Sequence, residues 1–551
     1  VSVHNKTTIL GLHIGKNDSS AALIEEGRLI AASQESSFRD SVCLAPFPIK
    51  SIQYCLQEAG IKPKNVELVA LSNNSPTSIK NFLLKLHYPR LKIFEKNQKI
   101  LESHPLPYQT VLRNLGLNCR VQRISHPVAH LMNVRYQLPE DNVALISLDG
   151  VGDTISTMAG EASENEFEVL SKIYFPHSLG IFYEAMTQYM GFIHSNDQYK
   201  LMEYSQYGKP KFLPALRQVI RERKNFGFDL NLEVFCFHKK CESISYDNGR
   251  VKFNPYFRTA LMTQMIGLPP RKPSDKLTEI YFDFAKSVQM RFEEISNHLL
   301  TELSKMVSTK NLAVSGGCAK NQIWVGKILE KSPFKKLVVS PSSTDIGLSI
   351  GAAIAAAKTA IHSHRKNWIY LGAKFEEQEK QNKKIENIVE QLLEEKPVMF
   401  KQGFQSFSTH TLQSDSILID PRNTKLIKKI CKKLEKPEKE LLKTVMINQE
   451  YQTEWFEKSF YSPAAQAKFA LKPTFLSKVP TIMNPENLCA VQTISENDQP
   501  FLWKLVEAFR KKTQIPLLVC IAKPKELSLE DLMSDKPEKS SSKEDSLPLA
   551  S

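Results

Sequence analysis

Two histidines stand four residues apart in SHPVAH (125–130): His126 and His130, with Pro127 between them. A helix through this stretch puts positions i and i+4 on one face, one turn apart. Pro127 suits the first turn of that helix. Two imidazoles so placed can grip one divalent ion. They can equally be two ordinary histidines, and their spacing alone leaves both readings open. Two other turns have the right chemistry to sit beside a ligand. NVALISLDG (142–150) is an apolar strand ending at Asp149-Gly150, and NLAVSGG (311–317) runs into Gly316 and Gly317. Glycines there let a backbone approach a nucleotide closely, or simply close a tight turn.

These residues need strands and helices to place them. TTILGLHIG (7–15) reads as a strand. SAALIEEGRLIAASQ (20–34) reads as a hairpin turning at Glu26-Gly27. IKSIQYCLQEAG (49–60) has helical spacing and a closing glycine, and VELVALS (66–72) is another strand. Residues 79–115 look largely helical. STMAGEASENEFEVLSKIYF (156–175) reads as a second hairpin. Residues 276–306 form a long amphipathic helix, AKNQIWVGKILE (319–330) a shorter one, and KKLVVSP (335–341) a strand. TDIGLSIGAAIAAAKTAI (344–361) is a helix of small residues able to pack closely. In α/β folds, polar turns at the carboxyl ends of strands are where ligands bind. The charged stretch 374–396 reads as a surface helix. Residues 397–524 form a second folded unit, and the polar tail from 525 reads as disordered.

The bulk numbers bound the function. A chain of 551 residues is too long for one core and suggests two to four domains. Hydrophobic content of 42% and charged content of 24% are those of a globular protein. The net charge of +14 favours acidic ligands such as nucleotides and phosphates. The basic clusters at 221–227, 425–443 and 509–514 read as solvated faces, and no zinc-finger or RNA-binding signature accompanies them, so nucleic acid is not expected. Nine scattered cysteines fit reduced thiols in a cytoplasmic protein. Cys236 and Cys241 flank His238 without a second pair at zinc-like spacing. No run of eighteen apolar residues offers a membrane span, and the N-terminal apolar run is too short for a signal peptide.

Taken in order, several stretches resemble the carbamoyltransferases of the nodulation protein U and tobramycin carbamoyltransferase type: DSSAAL (18–23), SHPVAH (125–130), LISLDGVGD (145–153), HSLGIFYEAMTQYMGF (177–192), YKLM with YG (199–202, 207–208), SGGCAKN (315–321), TDIGLSIGAA (344–353), SILIDPR (416–422) and AVQTI (490–494). The resemblance spans residues 7–524. It implies an α/β protein: a duplicated actin/Hsp70-like (ribonuclease H-like) domain over 1–365, a charged linker and the start of the second domain over 366–396, and a C-terminal α+β YrdC-like domain over 397–524. The tail is 525–551. It also implies a metal set of His126, His130, Asp149 and Asp345, suited to Fe(II) first, then Mn(II) or Zn(II). By the same resemblance Gly316, Gly317, Asn321 and Gly150 would bind ATP or carbamoyl-adenylate. Asp18 and Lys200 would be catalytic, Lys200 through a phosphate contact. The implied activity is transfer of a carbamoyl group, through carbamoyl-adenylate, to the hydroxyl of a small-molecule acceptor.

Departures from the family pattern qualify that expectation. Asn17 stands where the family has histidine. Asp40, Val42 and Cys43 stand where it has a basic motif, and Glu203 where it has glycine. In the C-terminal half three arginine positions hold Phe404, His410 and Asp415, and a glutamate position holds Ser406. Asn484, Glu486 and Ala490 replace a His, an Asp and an Arg, and CIAKP (520–524) replaces another motif. Arginine suits bidentate phosphate binding, and neither Phe nor Asp replaces it. Activity from carbamoyl phosphate is therefore not expected. An active protein would then take carbamoyl-adenylate from a donor protein in trans or use another donor. The alternatives are a catalytically impaired member acting as a binding protein and, more distantly, a transferase of the tRNA threonylcarbamoyladenosine type. Asp420 and Arg422 can simply hold a turn.

Overall fold

The computed structural model describes residues 7–15, 18–38, 47–72, 108–135, 137–138, 140, 142–163, 166–194, 196–238, 245–247, 250–252, 254–357, 362–363, 368–374, 381–400, 405–408, 416–458 and 461–522. Strands β1 (Thr8–Ile14), β2 (Ser19–Glu25) and β3 (Arg28–Gln34) form an antiparallel meander. Every residue of β1 is buried, as expected of a central strand covered on both faces. The β2–β3 turn places Glu26 and Gly27 at φ 50° and 74°, the twist-matched geometry of a two-residue hairpin. Helix α1 (Ile49–Ala59) ends on Gly60 in the left-handed conformation. Strand β4 (Leu68–Leu71), helix α2 (Tyr108–Asn114) and strand β5 (Arg120–Arg123) follow, with β4 and β5 pairing in parallel beyond β1. Helix α3 (His126–Arg135) closes this unit. Of the helical expectation for 79–115, residues 79–107 lie outside the described residues.

The second unit repeats the first. Strands β6 (Val143–Leu148), β7 (Ile155–Ala162) and β8 (Phe167–Tyr174) form a meander. A long excursion follows: α4 (Leu179–Tyr189), α5 (Gln198–Tyr204), α6 (Leu213–Val219), the hairpins β9 (Ile220–Glu222) with β10 (Phe228–Leu230) and β11 (Ser245–Asp247) with β12 (Arg250–Lys252), α7 (Thr259–Ile266) and α8 (Glu279–Met306). Then β13 (Asn311–Ser315), α9 (Gln322–Lys331), β14 (Lys336–Val339) and α10 (Leu348–Ala357) complete the unit, with β13 and β14 added in parallel beside β6. Both sheets run third, second, first, fourth, fifth strand, and β15 (His362–Ser363) extends the first sheet beside β3. This is the duplicated ribonuclease H-like arrangement of the actin and Hsp70 kind. In each unit a helix follows the fifth strand, and it lies on the other unit's sheet: α10 packs on β1, β2 and β4, and α3 on β13, β6 and β7. The two helices meet at glycine. A Cβ on Gly351 would stand 1.7 Å from the Ala129 carbonyl oxygen, and one on Gly11 would stand 1.9 Å from that of Ser349.

The C-terminal unit is α+β. It comprises α11 (Gln381–Leu393), β16 (Val398–Phe400), β17 (Ser416–Ile419), α12 (Thr424–Lys433), β18 (Lys443–Asn448), α13 (Gln452–Trp455), β19 (Ala467–Ala470), β20 (Leu488–Ile494), α14 (Pro500–Thr513) and β21 (Leu517–Ala522). Its sheet order is β16-β17-β21-β18-β20-β19, parallel only between β18 and β20. The charged stretch expected to form a surface helix is α11, and one stripe of it is core: Ile385, Ile388, Val389 and Leu392 are buried, and the helix packs on α14. Charge on three faces had masked a narrow apolar seam. One apolar core runs from the second sheet through Phe292 and Trp324 to Phe456 and Val491 of the C-terminal sheet. Among the described residues no helix is long and apolar enough to cross a membrane.

Candidate metal centre

Four donor atoms converge where the two repeated units meet. His126 and His130 Nε2 lie 3.1 Å apart on α3. Asp149 Oδ2, just past β6, is 2.9 Å from His126 Nε2 and 3.4 Å from that of His130. Asp345 Oδ1, in the turn before α10, is 3.6 and 3.7 Å from the same nitrogens. Ligands about 2.1 Å from a tetrahedral ion stand roughly 3.4 Å from one another, and these separations straddle that value. Two imidazoles and two carboxylates are also a donor set that suits Fe(II), Mn(II) or Zn(II). The residues present therefore fit a divalent ion.

Each donor is held from behind. His130 is fully buried, and its Nδ1 lies 3.5 Å from Ser315 Oγ at the end of β13. That contact turns Nε2 toward the cluster. The His126 amide, at the start of α3, donates to Asp153 Oδ2 at 3.0 Å. Asp149 Oδ1 accepts the Gly317 amide at 3.3 Å, and its carbonyl accepts the Ser178 hydroxyl at 3.0 Å. One turn beyond His130, Asn133 Nδ2 donates to Ser340 Oγ at 2.8 Å and to the Ser342 carbonyl at 2.9 Å. These bonds tie α3 to the loop that delivers Asp345. The Asp345 side chain is 49% exposed and faces the cavity.

The electrostatics follow from that crowding. Burial pushes the His126 imidazole down, but the Asp149 hydrogen bond and the charges of Asp345, Asp149 and Asp153 outweigh it and lift it to about 9. Burial opposes ionisation of Asp149, yet His126 and His130 hold it well below the usual carboxylate range. His13, buried on β1 with its ring edge-on to His126 at 6.5 Å, is pushed down to about 4 by burial. Its Nδ1 lies 2.9 Å from Ser72 Oγ, and its Nε2 has no hydrogen-bond partner. Burial likewise lowers the Lys320 ammonium, against the pull of Asp345.

The cluster opens on a cavity of about 720 Å³. Its walls come from both halves of the chain: His13, Asp18, Gly317 and Lys320 on one side, Lys468 and Cys520 on the other. Asp18 accepts the Ser19 amide at 2.8 Å and the Ser36 hydroxyl, and burial raises its carboxyl. Gly150 and Asn321 also line the cavity. Asn321 additionally caps α9 through the Trp324 amide and pairs with Gln289. Gly316 instead serves the backbone: at φ 94° it presses on the Leu148 carbonyl, where a Cβ would stand 2.3 Å away. Lys200 is not among the described lining residues. Its ammonium sits 3.6 Å from Asp197, 3.6 Å from Glu440 and over the Phe192 ring. Spacing and motif did not single out His13 or Lys320. A polar residue inside the otherwise apolar TILGLHI was the one available signal for His13.

Several departures from the family pattern can also be placed. Glu203 forms an ion pair with the buried Lys468 at 2.6 Å. Asn484 closes a local turn through the amides of Glu486 and Leu488, and Glu486 pairs with Lys286. Ala490 lies buried on β20. Asp420 accepts the Arg422 amide and its guanidinium, so the pair does hold a turn. Asn17, Asp40, Val42, Cys43, Phe404, His410 and Asp415 lie outside the described residues.

Comparison with known proteins agrees with this architecture. The carbamoyltransferase N-terminus family model matches residues 8–354, and the carbamoyltransferase C-terminus model matches 389–522. The chain is 26% identical to the uncharacterized protein sll1178 of Synechocystis, covering 93% of this chain and 90% of that protein. It is 24% identical to nodulation protein NolNO of Sinorhizobium fredii, covering 91% and 73%. Among solved structures, HypF of T. kodakarensis aligns at 16% identity and a TM-score of 0.32, over 65% of this chain and 49% of that one. With a family model matched over most of its length, the chain belongs to the carbamoyltransferase family.

Proposed function

We propose that the N-terminal site transfers a carbamoyl group from a carbamoyl nucleotide to an acceptor hydroxyl, with a divalent ion held by His126, His130, Asp149 and Asp345. The observation that carries this reading is the convergence of those four donors on the wall of one cavity. When bound, such an ion supplies Lewis acidity to a carbamoyl or phosphate oxygen. The chain's own residues position and exclude. Asn133 and Ser315 fix the ligand-bearing elements. Asp18, with its carboxyl raised by burial, takes the proton of the acceptor hydroxyl. Gly150 and Gly317 leave the approach to Asp149 free of side chains. The test is metal analysis of purified protein: one ion per chain in wild type, lost in His126→Ala and Asp345→Ala. No ion in wild type after reconstitution with Fe(II), Mn(II) or Zn(II) sinks the ligand assignment.

A specific observation favours a donor made elsewhere. Where the C-terminal unit meets the cavity, no arginine is among the described lining residues. Lys443 is taken by Glu438 and the Thr481 carbonyl, and Lys468 by Glu203. With Lys443 and Lys468 neutralised and Lys439 lying over the Tyr207 and Phe282 rings, the unit is poorly equipped to hold carbamoyl phosphate. The chain then either receives carbamoyl-adenylate from another protein or binds without turnover. Incubation with labelled carbamoyl phosphate and ATP yields little AMP or pyrophosphate on this reading, and brisk release of either overturns it. Carbamoyl-adenylate supplied directly separates the two remaining cases by whether a hydroxyl acceptor becomes labelled.

A further inference from the structure

Four lysines line the cavity: Lys320, Lys439, Lys443 and Lys468. Three are committed to the protein. Lys443 and Lys468 are in ion pairs, and Lys439 lies over the Tyr207 and Phe282 rings at 4.2 and 4.3 Å. Among the described lining cations, only the Lys320 ammonium has no hydrogen bond, ion pair or ring contact. A half-buried ammonium without a partner is costly to keep.

Its position is not accidental slack in a loop. Lys320 ends the short turn Gly317–Lys320. The first amide of that turn holds Asp149, and the residue after it, Asn321, caps α9. The backbone is thus pinned on both sides, beside the donor cluster. His13 offers a second unfilled valence on the same cavity: its Nε2 is buried and unpartnered. Gly15 leaves the space beside that nitrogen free, for a Cβ there would stand 2.2 Å from it. Lys320 and His13 share the charge of Asp345 as a neighbour.

The charges say what fits. A divalent ion and the carboxylates of Asp149 and Asp345 sum to zero with both histidines neutral. Asp153 is taken up by the positive N-terminal end of α3. Asp18 is held by the Ser19 amide and the Ser36 hydroxyl, so Lys320 remains the described lining ammonium with no hydrogen-bonded counter-charge, and what an ammonium binds is an anion. We propose that Lys320, with the His13 Nε2, forms a phosphate subsite beside the donor cluster, and that it holds the α-phosphate of the nucleotide donor. The proposal rests on the nucleotide reading above and names the residue that recognises the charge.

The experiment is calorimetric titration of the full-length protein with AMP and, separately, with adenosine, in Mn(II)-loaded and metal-stripped forms. Lys320→Met keeps the bulk and removes the charge, and Lys320→Arg keeps the charge. In the expected result, Lys320→Met loses at least about tenfold in AMP affinity while adenosine affinity stays put. Lys320→Arg stays within about threefold of wild type for AMP. Unaltered AMP affinity in Lys320→Met overturns the subsite and leaves the nucleotide reading standing. Equal losses for AMP and adenosine overturn it too, because the residue would then be structural. If wild type binds neither AMP nor adenosine in either form, the subsite and the nucleotide reading fall together.

Discussion

His126 and His13 pull the pH response of the metal-stripped protein in opposite directions. His126 is raised from an ordinary value of 6.5 to about 9. Its contribution to stability is therefore complete below 6.5 and is lost as pH climbs through 9. His13 is lowered from 6.5 to about 4. The unfolded chain takes up that proton first as pH falls below 6.5, so acidification toward 4 destabilises the fold. Thermal unfolding of metal-stripped protein should give its highest Tm near neutrality, and His13→Asn should flatten the acid limb. An acid limb unchanged by that substitution would sink the assignment. The raised His126 also predicts proton release, because an imidazole must be neutral to ligate. Loading at pH 7.5 should expel about one proton per ion, read as a buffer-dependent heat in calorimetry. Of these residues the HxxxH pair was visible from spacing, and the two aspartates from motif order. His13 showed only as a polar residue in an apolar strand and Lys320 not at all, since the unpartnered nitrogens that set them apart, His13 Nε2 and Lys320 Nζ, are such only in the folded chain.

Secondary structure was legible wherever period and punctuation agreed. The Glu26-Gly27 hairpin, the Gly60 stop of α1 and the strand ending at Asp149 lie where the pattern puts them, and the small-residue helix expected over 344–361 is found as α10 from Leu348 to Ala357 after a short turn at 345–347, with 358–361 outside the described residues. The crossing of α3 and α10 onto each other's sheets was not legible, because close packing of small residues says that something approaches without saying what. That crossing sets the distance from the histidines to Asp345. Gly351→Ala drives a Cβ into the Ala129 carbonyl and should destabilise the protein by about 1–3 kcal/mol. It should also weaken metal binding, since α3 must move away from α10. Gly150 has open space at the Cβ position and an ordinary φ, so Gly150→Ala should leave the Tm within about 2 °C of wild type. Equal losses in both variants, measured by thermal and metal titration, would show that the helix crossing does not control the centre.

At the scale of the whole chain, the C-terminal unit is bound to the rest by both core and charge. Trp324 and Phe456 belong to one continuous apolar cluster. Gln322 donates to the Ala465 carbonyl at 2.5 Å, and Lys468 bonds both oxygens of Glu203. Breaking that pair from one side strands the other charge. Glu203→Gln should cost about 3–5 kcal/mol in urea unfolding, whereas Glu203→Leu with Lys468→Met should come out near neutral. A mild single-variant effect would mean that water reaches the pair. Family-motif order outlined the chain as a whole, yet this tie joins residues 265 apart and no local pattern foretells it.

The duplication has one more consequence, and it concerns division of labour. His126 and His130 come from the first repeat, and Asp149 and Asp345 from the second. Neither repeat holds more than half of the four donors, so the cluster exists only while the two are docked. The repeats share a topology yet bring different elements to it, one only nitrogen and the other only oxygen.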